Sequence, residues 1–117
     1  MKTILVVDDE KNLRILYQKE LSEEGYHVFT AMSGDAALKI IKKEQVDLAV
    51  LDIKMEGKDG IQTLREILAE NRNIKVILNS AYSSYKSDFS TWAADAYIIK
   101  SSELKELKDK IKELLRD

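Results

Sequence analysis

Proline is absent from all 117 residues, where average usage of about 5% would place roughly six. No turn or helix start here is fixed by a pyrrolidine ring, and prolyl isomerisation is removed as a slow folding step. Cysteine is absent too, which excludes a disulfide framework and a thiolate metal site. The single histidine, His27, cannot build an imidazole metal cluster. No apolar run approaches the roughly 20 residues that span a bilayer, and Met1-Lys2 leads straight into a short strand-like run where a signal peptide would have its apolar core. Neither sign of charge dominates: 19 basic against 21 acidic residues give a net charge of −2, which argues against nucleic-acid binding by bulk charge. The expectation is a cytoplasmic protein with neither a membrane nor a nucleic-acid partner, folded as one domain over residues 1–117.

What is present is a repeating pattern. Apolar runs rich in β-branched residues (Ile4-Leu5-Val6-Val7, Val28-Phe29, Leu48-Ala49-Val50-Leu51, Ile74 to Leu78, Tyr97-Ile98-Ile99) alternate with stretches of helical period. Runs that are apolar without alternation suit strands buried on both faces, as in a parallel sheet. Leu13, Leu16, Tyr17, Glu20 and Leu21 predict a first amphipathic helix closed by Gly25. Residues 34–44 predict a second, with Ala37, Leu38 and Ile41 inward. A third starts at a capping Asp59, with Gln62 as its reciprocal partner, and carries Ile61, Leu64, Ile67 and Leu68. Tyr85, Phe89 and Trp92 space a fourth, but Ser83, Ser84, Ser87, Ser90 and Thr91 are poor helix interior, so a short or mobile element is expected. The last is predicted over Ser102–Arg116, on Leu104, Leu107, Ile111, Leu114 and Leu115. Five strands alternating with five helices predict an open, doubly wound α/β sheet, in which ligands bind outside the carboxyl ends of the strands.

Those ends carry chemistry. The first strand ends in Asp8-Asp9-Glu10, the third in Asp52, the fourth in Ser80 and the fifth in Lys100. Three carboxylates brought to one rim repel one another unless a cation joins them, and Mg²⁺ is commonly held by a few carboxylates plus water. Lys100 and Ser80 offer an ammonium and a hydroxyl donor that, with Mg²⁺, can hold the oxygens of a phosphoryl group. An aspartate there can act as nucleophile and form an aspartyl phosphate; Asp52, alone at the end of the most apolar strand, is the choice. Each residue taken singly has a plainer reading. Asp8-Asp9 can be an N-cap and acidic first turn, Asp52 a loop residue, and Lys100-Ser101-Ser102 a solvated strand end. It is the joint occurrence, in the order the fold requires, that favours a site.

The same residues resemble the receiver domain of two-component response regulators. The stretches ILVVDDEKNLR, VDLAVLDIKMEGKDGI, VILNSAY and ADAYIIKSSEL carry the resemblance, which covers essentially the whole chain. It implies a (βα)5 flavodoxin-like fold with strand order 2-1-3-4-5, and a signalling switch in which Asp52 accepts a phosphoryl group from a phosphohistidine on a histidine kinase or phosphotransfer protein. It implies that Asp9, Asp52 and the backbone carbonyl of Lys54 hold Mg²⁺, with Asp8 acting through metal-bound water. It also implies that Ser80 and Lys100 contact the phosphoryl oxygens and that Tyr97 swings inward as Ser80 moves. Kinase docking would use the first helix and nearby loops, and output a protein contact through the face of the fourth helix, fifth strand and fifth helix, where Tyr85, Phe89 and Trp92 are either anchors or simply fill the core edge under the fourth helix. Such a domain catalyses its own phosphorylation and dephosphorylation without being a conventional turnover enzyme.

The chain departs from the family pattern where proline is usual, at Glu56 and Ser101, so both loops are expected to be more flexible. Complete loss of proline fits an engineered or reconstructed receiver, and the alternative function is a receiver-fold scaffold that does not switch. A phosphatase with an aspartyl-phosphate intermediate would want an acid two residues after Asp52, where Lys54 stands. Lys54 and Tyr82 would flank the attacking water and slow dephosphorylation. The chain ends at Asp117, directly after the last predicted helix, and so reads as a stand-alone or excised receiver.

Overall fold

The computed structural model describes residues 1–55, 57–81, 93–101 and 103–116. In chain order the elements are β1 (Thr3–Val7), α1 (Lys11–Glu23), β2 (His27–Ala31), α2 (Gly34–Lys43), β3 (Leu48–Leu51), α3 (Gly60–Glu70), β4 (Lys75–Ser80), β5 (Ala96–Ile99) and α4 (Lys105–Leu115). All five strands are parallel, in the order β2-β1-β3-β4-β5: the parallel sheet expected from the alternating pattern, in the strand order the family resemblance implies. The predicted fourth helix, with Tyr85, Phe89 and Trp92, lies outside the described residues, as do Tyr82, Glu56 and Ser102.

The central strands are buried on both faces, and their side chains alternate between two cores. Leu5, Val7, Ala49, Leu51, Val76 and Leu78 point to the side covered by α2 and α3, where Ala37, Leu64 and Ile67 meet them. Ile4, Val6, Leu48, Val50 and Ile77 point to the opposite side, where Tyr17 and Leu21 of α1 and Leu107 and Ile111 of α4 complete the packing. Each buried side chain of this size stabilises by about 1.5–3 kcal/mol. Removing one of the large ones, as in Leu64→Ala, costs about 2–5 kcal/mol because the close-packed surroundings collapse only partly.

Helix ends follow the local chemistry. Ser33 Oγ accepts from Ala36 N at 3.1 Å and Asp59 Oδ1 from Gln62 N at 2.8 Å, each satisfying an otherwise orphaned amide. α1 stops at Gly25, whose φ of +98° is a conformation only glycine adopts freely. There Gly25 N donates to Ser22 O and Tyr26 N to Leu21 O, closing a Schellman motif. Two expectations shift. The last helix begins at Lys105 instead of Ser102, because Ser101 Oγ accepts from Glu103 N at 3.1 Å, forming a side-chain turn that delays the helix, and Leu104 is buried just before it. On α1, Leu16 is 37% exposed beside Ile15 at 54%; the inward stripe is carried by Tyr17 and Leu21 instead.

Candidate functional site

The sheet ladder runs one residue past each central strand, and this places the site. Asp8 N donates to Ala31 O at 3.1 Å, Asp52 N to Val7 O at 2.9 Å and Lys100 N to Ser80 O at 2.7 Å. Each backbone is thus pinned to the neighbouring strand end before its side chain leaves the rim. Asp52 is braced from the other side as well: Gly60 N donates to Ile53 O at 2.7 Å, and a Cβ on Gly60 would collide with the Asp52 carbonyl. Only glycine permits that approach.

The side chains converge. Lys100 Nζ lies 2.8 Å from Asp8 Oδ2 and 3.3 Å from Asp52 Oδ2. Asp8 and Asp52 are almost wholly buried, at 2% and 7% exposure, while Asp9 faces solvent. One ligand oxygen from each of Asp8, Asp9 and Asp52 falls within 4.8 Å of the others. Three carboxylates thus gather at a partly open rim, two of them paired to the same ammonium. Hard carboxylate oxygens in that arrangement suit a divalent cation of the Mg²⁺ type, which keeps several waters. Asp8 is oriented further by Glu10 N, which donates to its Oδ1 at 2.9 Å, and its carbonyl accepts from Arg14 Nη1 at 2.6 Å.

The electrostatics record the crowding. Burial, the largest influence, pushes the Asp52 carboxyl above its ordinary value; the Lys100 charge pulls it back and the Asp8 charge pushes it up again. For Lys100, burial works against the ammonium, but the Asp8 hydrogen bond and the charges of Asp52 and Asp8 outweigh it and hold the group above the ordinary lysine value. Asp52 is therefore a carboxylate kept charged at some expense. Its nearest balancing charge is a point ammonium on a flexible stem, which can move toward another anion.

Of the other residues singled out in the sequence, Ser80 is fully buried at the end of β4 and its carbonyl holds Lys100 in place. Lys54 is exposed in the loop after Asp52. Tyr97 is half-buried in β5 and packs against the core on the α2–α3 side. Three contributors were not legible beforehand. Arg14 clamps the Asp8 carbonyl, Lys58 ties the loop after Asp52 to α2 and α3, and Asn79 Nδ2 donates to the buried Tyr17 hydroxyl at 2.9 Å. That last bond joins α1 to β4 one residue before Ser80. An asparagine inside an otherwise apolar strand run was the one signal for it, since a buried amide needs a partner.

A family model described as the response regulator receiver domain matches residues 4–112. The chain is 36% identical to sporulation initiation phosphotransferase F of Bacillus subtilis, over 96% of this chain and 92% of that protein. The crystal structure of response regulator TrrA from Thermotoga maritima in complex with Mg²⁺-BeF superposes with a TM-score of 0.95 at 50% identity, covering 98% of this chain and all of that one. TrrA in complex with the histidine kinase ThkA superposes with a TM-score of 0.93 at 50% identity, covering 99% of this chain and all of the matched one. The chain spans about half the length of other curated relatives, covering 46–52% of them. With a family model matched from the first strand into the last helix and relatives this similar along the whole chain, the protein belongs to the response regulator receiver domain family, the phosphoacceptor modules of two-component signalling.

Proposed function

We propose that this chain is a Mg²⁺-dependent phosphoacceptor switch whose acceptor is Asp52. The observation that carries the reading is the buried Asp52 carboxylate at the end of β3, gathered with the acids that follow β1 and bridged to Asp8 by the ammonium of Lys100. Asp9, Asp52 and the Lys54 carbonyl would hold Mg²⁺, with Asp8 acting through bound water; when bound, the cation offsets charge on the incoming phosphoryl oxygens. This chain's own residues do the rest. An Asp52 Oδ attacks phosphorus in line, the bond from phosphorus to the donor imidazole nitrogen breaks, and that nitrogen keeps the electron pair and takes a proton. Lys100 shifts from Asp52 toward the transferred group, and the Ser80 hydroxyl donates to another of its oxygens.

The donor is a histidine kinase, as in the complex of the 50% identical TrrA with ThkA. Exposed Ile15 and Leu16, next to the Arg14 that touches Asp8, give α1 an apolar contact surface at the right rim for docking. Movement of Ser80 toward the phosphoryl group draws Tyr97 inward and changes an output face that includes β5 and α4. The test is intact mass after incubation with Mg²⁺ and a small acyl phosphate. A single phosphoryl adduct is expected, absent from Asp52→Asn and from a chelator control. An adduct that persists in Asp52→Asn would overturn the assignment.

A further inference from the structure

Lys58 lies in the loop between β3 and α3, and its ammonium is engaged on two sides. Nζ is 2.8 Å from Asp35 Oδ1 in the first turn of α2, and 2.7 Å and 3.0 Å from the two carboxylate oxygens of Glu66 in α3. The side chain is only 16% exposed, unusually low for a lysine in a surface loop. Its stem packs along the start of α2: a Cβ built on Gly34 would come within 3.0 Å of Lys58 Cδ and would collide with Thr63 Oγ1. Thr63 Oγ1 in turn donates to Asp59 O at 2.8 Å. The hydrogen bonds the ammonium donates to Asp35 and Glu66, in that order of influence, hold it above the ordinary lysine value.

The loop after Asp52 therefore has two anchors. At its inner end Gly60 is pressed against the Asp52 carbonyl and bonded to Ile53. At its outer end Lys58 spans α2 and α3. Between Ile53 and Lys58 the chain turns through Gly57 in the left-handed region, φ +77°. Lys54 lies on this span, in a chain with no proline to stiffen it. Exposed ion pairs contribute little energy singly, but one ammonium shared by two helices fixes where a loop sits.

We infer that Lys58 is a positioning residue for the metal site: by bridging Asp35 and Glu66 it fixes the loop that carries Lys54 beside Asp52. The inference rests on the Mg²⁺-dependent reading above and adds to it a residue with no contact to the ion. Its sign separates it from simple electrostatics. Removing a positive charge near a cation site strengthens cation binding if Coulomb forces alone act, whereas loosening a ligand-bearing loop weakens it.

The experiment is calorimetric Mg²⁺ titration of the whole chain, paired with amide hydrogen exchange in Mg²⁺-free buffer. Lys58→Met keeps an unbranched stem and loses the charge. It is expected to weaken Mg²⁺ binding by about tenfold, the lower end of what losing a ligand-orienting partner does, and to speed exchange in residues 53–59 alone. Lys58→Arg restores both. The pair Asp35→Asn with Glu66→Gln reproduces the exchange effect, and adding Lys58→Met to that pair speeds it no further. Lys58→Met binding Mg²⁺ as tightly as the parent, or more tightly, would overturn the inference, as would faster exchange spread over β1 and β3. A parent chain that binds no Mg²⁺ would instead overturn the underlying reading.

Discussion

Aspartates stand at both rims of the sheet, and the two rims use them in opposite ways. At the amino ends, Asp47 Oδ2 accepts from Thr3 N at 2.8 Å and Asp95 Oδ2 from Val76 N at 2.7 Å. Each acid meets a neutral amide that a starting strand leaves unpaired. No second charge is needed, and the bond joins adjacent strands. At the carboxyl ends, Asp8 and Asp52 are buried together with Lys100 between them. Here charge faces charge in a partly dry site, and the Asp52 carboxyl is pushed above its ordinary value. The same residue type thus secures the fold at one end and strains it at the other. Departures from local consistency of this kind mark functional positions.

The largest expected effect comes from removing the shared cation. Lys100→Met leaves two buried carboxylates without their ammonium, and urea unfolding in chelator should show a loss of about 3–5 kcal/mol, the usual result of breaking a buried pair on one side. Part of the loss should return on adding Mg²⁺. If Lys100→Met were as stable as the parent in chelator, the carboxyl rim would not be frustrated and the contrast would fail. At the opposite rim, Asp47→Ala strands the Thr3 amide and should cost about 1–2 kcal/mol by the same measurement. Its Mg²⁺ titration should match the parent's, and an altered affinity would mean that the two rims are not separate.

Much of this was legible in the chain, for physical reasons that differ by element. The central strands announced themselves because burial on both faces demands unbroken apolar runs, as in Leu48 to Leu51. The strand-end set of Asp8, Asp9, Asp52, Ser80 and Lys100 was visible because polar residues that end buried runs must gather at one rim of a parallel sheet. The start of α4 was placed three residues early, because the helical spacing begins at Leu104 while the competing Ser101 turn leaves no periodic trace. Leu16 was turned inward by a spacing that Tyr17 and Leu21 already satisfy. Lys58 was invisible: its partners are 23 residues before it and eight after it, and nothing in a lysine's neighbourhood encodes a contact between two helices.

The smallest of the effects is also the most direct test. Asp52 is held above its ordinary value, so in the absence of Mg²⁺ its contribution to stability is present below about pH 3.9, the unfolded value. That contribution is lost as pH rises through the elevated folded value. Asp52→Asn removes this loss. The measurement is the unfolding free energy of the parent and of Asp52→Asn at neutral pH, each with chelator and with Mg²⁺. The account predicts that Asp52→Asn is more stable in chelator by about 1 kcal/mol, the usual size of a single-substitution effect. It also predicts that Asp52→Asn loses most of the stabilisation that Mg²⁺ gives the parent by binding the folded state. An Asp52→Asn protein that is less stable than the parent in chelator and responds equally to Mg²⁺ would contradict it.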